Sequence, residues 1–202
     1  GRLFEGQHRL TAIVRSGCTV RMFVMRGCPP KSFITSGSGQ PRSAGQILGI
    51  SGKKLGNRRS AMGRLMASLR DGEPHAGVSA GRLLEFVDDF GEAIDWGLGR
   101  VTFKTRSYLV AAAAYAWPTS PAAAGEFLDQ LTGAVDLPAG SPVRIVQQAS
   151  AKSRTWADRR VVARRALSAI HALEQGRTSG RATVSSVSSA RYSAYWASEV
   201  GK

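Results

Sequence analysis

The stretch Glu5-Gly6-Gln7-His8-Arg9-Leu10 constrains this chain more than any other. It lies between a short apolar start, Leu3-Phe4, and the run Leu10-Thr11-Ala12-Ile13-Val14. The pattern reads as a strand end, a tight turn and the first turn of a helix. Gly6 supplies backbone freedom at the turn and leaves room for a ligand to come close. The helix that follows begins with unpaired N–H groups at the positive end of its dipole, so a phosphate is the natural guest. His8 and Arg9 add donors, and an arginine can grip a phosphate with two bonds. Leu10, Ile13 and Val14, three and four apart, form the apolar face that would hold the helix on the fold. For so short a motif the alternative is a surface turn with a solvated His8 and Arg9.

The flanks weigh against that alternative. Residues 5–12, with Gly6, Gln7, His8, Arg9, Leu10 and Ala12, resemble the D-G-Q-H-R-L-x-A signature of the ParB/sulfiredoxin-like superfamily, in the form found in many phage and plasmid proteins. The strand-like run 19–27 follows where that family has its next strand. A second segment, Gly37-Ser38-Gly39-Gln40-Pro41-Arg42-Ser43-Ala44, resembles the family's D-T-G-x-x-R-x-A loop leading into a helix. The resemblance covers roughly the first 50 residues. It departs from the pattern where Glu5 replaces Asp, and where Ser36 or Ser38 stands for the Asp of the second motif. It implies a phosphate or nucleotide site built from Gly6, Gln7, His8, Arg9 and Thr11, with Gly39, Arg42 and Ser43 reaching in from the second loop. A nucleoside triphosphate (ATP or CTP) with Mg²⁺ is the cofactor such a site would take. The family also has strands before the turn, so the chain is expected to start part-way through such a lobe.

Charge is the second constraint. The formal net charge is +14 with a pI near 11.0, which suits a polyanionic partner, nucleic acid or a membrane surface. Residues 1–70 carry +12, residues 71–149 carry −5 and residues 150–202 carry +7. The basic potential therefore sits on the motif-bearing end and the tail. No apolar run reaches 18 residues, so no membrane span is expected. Cys18 and Cys28 are too few for a disulfide framework, and with scattered His8, His75 and His171 they make no metal site. A reduced, cytoplasmic compartment fits this usage.

Along the chain, residues 1–36 read as strand, helix, strand and a short helix opened by Pro29-Pro30. Ser43 is a plausible N-cap for a helix over 44–50 and Asn57 for one over 58–69. The latter sets Arg58, Arg59 and Arg64 opposite an apolar face. A helix from Ser79 points Leu83, Phe86, Val87 and Phe90 inward and Glu85, Asp88, Asp89 and Glu92 outward. Residues 105–117 are apolar almost all round and predict a buried helix. Ser120-Pro121 and Ser141-Pro142 open two more. A long helix over 154–175 clusters Arg159, Arg160, Arg164 and Arg165 and stops at Gly176. After residue 176 the composition turns Ser/Gly/Arg-rich, which predicts a mobile tail with Tyr192, Tyr195 and Trp196 docking locally.

These readings predict an α+β protein: a ParB/sulfiredoxin-like α/β lobe over 1–50, a helical region over 51–176 and a tail over 177–202. The leading functional expectation is a phage- or plasmid-type ParB-like DNA-binding protein, gated by a nucleotide. Its DNA-binding residues would be Arg58, Arg59, Arg64, Arg159, Arg160, Arg164 and Arg165. The second is an enzyme of the same superfamily (nucleotide hydrolase, kinase or nuclease) with Glu5, as a base or a holder of a phosphate-bound metal, and His8 near the chemistry. The third is a protein-interaction module, such as a phage factor that binds a host protein; a homodimer or a protein partner is expected alongside DNA and nucleotide. No G-x-S-x-G elbow, Walker loop or H-E-x-x-H occurs, and one acid in residues 1–70 makes a poor Mg²⁺ site, so binding rather than turnover is expected.

Overall fold

A helix with no polar face can exist in water only if other helices surround it. Helix α6, Ser107–Ala116, is that helix: from Tyr108 to Ala116 every side chain is buried. In the computed structural model, which describes residues 3, 6–29, 43–50, 52–75, 78–102, 104–133, 136–177 and 186–199, the rest of the body is built around it. Its neighbours are α3 (Gly56–Asp71), α5 (Gly91–Gly99), α7 (Pro121–Thr132) and α9 (Trp156–Glu174). Four consecutive alanines, Ala111 to Ala114, let these helices come close. Gly97 of α5 does the same from the other side: a Cβ there would lie 3.0 Å from Val110 and 3.3 Å from Ala114.

The remaining helices complete the shell. Helix α2 (Ala44–Ile50) pairs with α3, and α4 (Ala80–Asp89) lies across α3. Helix α8 (Pro142–Lys152) packs on α9, and α10 (Ser186–Glu199) docks against α3 and α9. Local signals start many of these helices. Ser43 and Gln46 form a reciprocal cap on α2, Ser79 accepts the N–H of Arg82 on α4, and proline opens α7 and α8. Thr155 and Asp158 form a full capping box on α9.

The α+β expectation is corrected. The described residues contain only helices and irregular chain; the fold class is all-α, and a sulfiredoxin-like α/β lobe is absent from them. The run 19–27 has strand-like composition but forms no strand. Strands exist only as pairs, because their N–H and C=O groups need a ladder, and no second strand occurs among the described residues to supply one. Val20, Met22, Phe23, Val24 and Met25 are all exposed. The expected helix after Pro29-Pro30 and the second-motif loop fall on residues outside the described set.

Two smaller differences have clear causes. The helix read from Ser79 is two helices, α4 and α5, broken at Phe90, whose buried ring packs edge-on to Trp196 at 4.7 Å. The expected mobile tail holds α10, which places Tyr192 and Trp196 in the core and Tyr195 beside it. No helix among the described residues is long and apolar enough to cross a membrane.

Candidate nucleic-acid interface

The turn at Gly6 is present in the form its chemistry requires. Gly6 has φ +92, in the left-handed region, and caps α1 (Gln7–Ser16). No side chain caps this helix end. The first-turn N–H groups thus lack a helical acceptor, and Gln7, His8 and Arg9 stand exposed around them. Thr11 is turned away from this end: its hydroxyl donates to the Gln7 carbonyl at 2.8 Å. The helix buries none of its residues, and Val14 is 81 % exposed, so Leu10, Ile13 and Val14 do not anchor it in the core. Glu5, Gly39 and Arg42 lie outside the described residues. Ser43 is spent on its cap with Gln46. The convergence of the two motifs on one phosphate is therefore not visible among the described residues.

Six of the seven arginines singled out for DNA divide into two groups, and Arg64 falls in neither. Arg58, Arg59 and Arg160 brace the body. Arg58 donates to the carbonyls of Thr102 and Thr105, the latter at 2.9 Å, and burial pushes its pKa down. Arg59 donates to the Lys54 carbonyl at 2.8 Å and pairs with Asp95. Arg160 donates to the Gly72 carbonyl at 2.7 Å, at the end of α3. Its pKa is lowered by burial and then by the charge of Arg164 one turn along. Arg64 is half-buried, and its Nε has no partner.

Arg159, Arg164 and Arg165 form the second group, joined by Arg154. Among the described residues none of the four has a carboxylate within salt-bridge reach. Arg159 makes one long bond to the Arg154 carbonyl, at 3.5 Å. The nearby acid, Asp158, is committed to the backbone. Its carboxylate accepts the N–H groups of Thr155 and Arg154, at 2.9 and 3.0 Å, and these bonds hold its pKa below the usual carboxylate range.

Several acids of the middle of the chain are paired elsewhere. Asp88 pairs with Lys53, Asp89 with Arg70, Asp95 with Arg59 and Asp129 with Arg100. The acidic face of α4 thus turns to the basic segment at α3. Four of the cations left without a carboxylate among the described residues, Arg154, Arg159, Arg164 and Arg165, lie within twelve residues at the start of α9.

The sequence placed one helix after Ser141-Pro142 and another over 154–175, but did not read the short junction between them as one unit. Residues 153–155 link α8 to α9 in a turn of three residues, giving a helix–turn–helix unit. The signal was the Thr155-x-x-Asp158 cap, which marks a new helix start just after Lys152. The exposed stripe of α9 was missed as well. Ala157 and Val161 are exposed, and on the same side Arg164 and Arg165, seven and eight residues on from Ala157, are half-buried. Beyond it Ser168 is buried, so the stripe is open only over the first half of the helix.

No protein-family model, curated protein or solved structure matches the chain.

Proposed function

We propose that this chain is a ParB-like DNA-binding protein that holds duplex DNA through its backbone phosphates, with the α8–turn–α9 unit as the principal contact and the first turn of α1 as a second phosphate site. The single observation that carries the reading is the cluster of arginines around the start of α9, Arg154, Arg159, Arg164 and Arg165, none of which has a carboxylate in reach among the described residues. The acid nearest in sequence, Asp158, is committed to backbone N–H groups, which leaves these four side chains free for an external anion. Fixed guanidinium groups without internal partners suit phosphate oxygens spaced along a duplex. Gly6, with Gln7, His8 and Arg9, offers a phosphate the open N–H groups of α1, whether that phosphate belongs to DNA or to a nucleoside triphosphate.

The test is fluorescence anisotropy with a random-sequence duplex across a salt series. Affinity is expected to fall by roughly a thousandfold between 50 and 200 mM salt if about six phosphates are engaged. The Arg164→Ala/Arg165→Ala double variant is expected to lower the salt slope by about 0.9 per arginine removed. Arg58→Ala, which removes a brace, should reduce stability and leave the slope alone. Binding that ignores salt, or no binding at 50 mM, would overturn the reading. Arg9→Ala in the same assay, with ATP, CTP and GTP titrated separately, tells whether the α1 turn takes DNA phosphate or nucleotide.

A further inference from the structure

The run after α1 has the composition of a strand and an open ladder. Among the described residues, the backbone of residues 19–28 makes no hydrogen bond. Its apolar side chains from Val20 to Met25 are exposed, Phe23 to 91 % and Met25 to 74 %. Leu10 and Val14 of α1 are exposed too, and α1 joins the run through Gly17, φ +65. These seven apolar residues expose together an area on the order of the 800 Å² per partner that a standard interface buries. Scattered apolar residues on a surface are ordinary, but a contiguous apolar run with unpaired backbone groups is a template for pairing. A lipid surface would take the side chains and leave the N–H and C=O groups unpaired. A second strand satisfies both.

The spacing within the run selects that strand. Its landmarks are mirrored about Phe23: Gly17 and Pro29 bound it six residues to either side, and Cys18 and Cys28 lie five to either side. Laid antiparallel on a second copy about a two-fold axis at Phe23, the run sets Phe23 against Phe23, Met22 against Val24 and Arg21 against Met25. Arg26 falls against Val20, on the other face from Arg21, so no arginine faces an arginine. An axis between Phe23 and Val24 would instead oppose Arg21 and Arg26, a destabilising like-charge pair. Gly27, φ +72, turns the chain near the end of the run, and glycine is the residue that can straighten there at little cost, which brings Cys28 against Cys18. Both cysteines are free thiols.

We propose that residues 18–28 pair antiparallel with the same residues of a second copy, with Phe23 on the two-fold axis and Cys18 of each copy against Cys28 of the other. Leu10 and Val14 of α1 cover one face of the ribbon. A two-stranded ribbon alone is marginal in water, and a helix packed on it supplies the missing burial. The interface is isologous, one patch serving both copies. The arginines of the two copies repel, and salt screens that repulsion. The dimer therefore tightens as salt rises, the reverse of phosphate binding.

The experiment weighs the nuclease-treated full chain by light scattering, with reductant, over a micromolar-to-millimolar dilution series. The mass at the concentrated end is expected to be twice 21.5 kDa, and the dimer to gain when salt is added. Phe23→Arg sets like charges together on the axis. It should halve the mass and, at so exposed a position, keep the melting temperature. Register is read with diamide, which takes one hydrogen from each of two thiols and leaves them joined as a disulfide. Cys18→Ser and Cys28→Ser should each stay uncrosslinked alone and form a covalent dimer when mixed. Six results would overturn the proposal: a monomer at every concentration, a dimer that survives Phe23→Arg, a dimer that dissociates as salt rises, no cross-link in the mixture, a cross-link as ready in either variant alone, or a Cys18–Cys28 disulfide within one chain. None of them depends on whether the chain binds DNA.

Discussion

Gly56 and Gly45 show what a single hydrogen atom can decide. Where α2 crosses the start of α3, a Cβ on Gly56 would lie 2.3 Å from the Gly45 carbonyl oxygen, and one on Gly45 would lie 1.7 Å from Asn57 Oδ1. The second obstacle is a side-chain tip that can swing away; the first is backbone. Gly56→Ala is therefore expected to destabilise by about 3 kcal/mol or more, by forcing α2 off α3. Gly81→Ala on α4, where nothing lies within 4 Å, should fall within about 1 kcal/mol of wild type or above it. Denaturant melts of the two variants check the contrast. The arginines teach the same lesson about scale. In the sequence Arg160 and Arg165 are alike, yet one is bonded to the Gly72 carbonyl and the other has no carboxylate in reach among the described residues. Residue type and spacing placed the cluster on one helix but could not separate braces from free cations, because that depends on a carbonyl 88 residues away.

Helix α10 is held by a few specific contacts. Arg191 grips Glu174 with two bonds, at 2.7 and 3.0 Å, and Trp196 donates its indole N–H to the Tyr115 carbonyl at 2.9 Å. Ser193 accepts from Tyr115 and donates to the Leu69 carbonyl. Burial raises the pKa of Glu174, but bonds from Arg191, Ser120 and His171 outweigh it and hold the carboxyl below its ordinary value. A depressed carboxyl contributes stability above its unfolded pKa and loses it as pH falls through the folded value. Hydrogen exchange across α10 should therefore accelerate as the pH drops below the ordinary glutamate range, ahead of α6. Glu174→Gln should produce the same acceleration at neutral pH. Helices that combined an apolar period with a cap or an opening proline, such as α2, α7, α8 and α9, were legible in the sequence because both signals are local. Helix α10 was not, since its Ser-rich composition is a weak helix former and its stability comes from Tyr192 and Trp196 entering a groove built by distant segments. The run 19–27 failed for the opposite reason: its composition favours a strand, but a strand's stability resides in its neighbour.

At the scale of the molecule, the motif-bearing end and the helical body are unequal partners. No described residue from Gly6 to Pro29 is buried, whereas α3, α6 and α9 share one continuous core. Deleting residues 1–29 is expected to shift the melting temperature by less than about 2 °C, well under the shift of roughly 4 °C that loss of even 1 kcal/mol can bring. A fall of more than about 5 °C in calorimetry would show that this end packs on the body. The placement of α10 has a consequence for how the protein is made. Ser193 hydrogen-bonds to Leu69 across 124 residues of sequence. At about 5 to 20 residues per second of synthesis, α3 waits roughly 6 to 25 s on the ribosome before the helix that covers it emerges. Once made, Phe90 and Tyr115 likewise lack the ring of Trp196 that packs against both until α10 follows. The nascent chain thus carries an open aromatic groove from the synthesis of Tyr115 until α10 closes it.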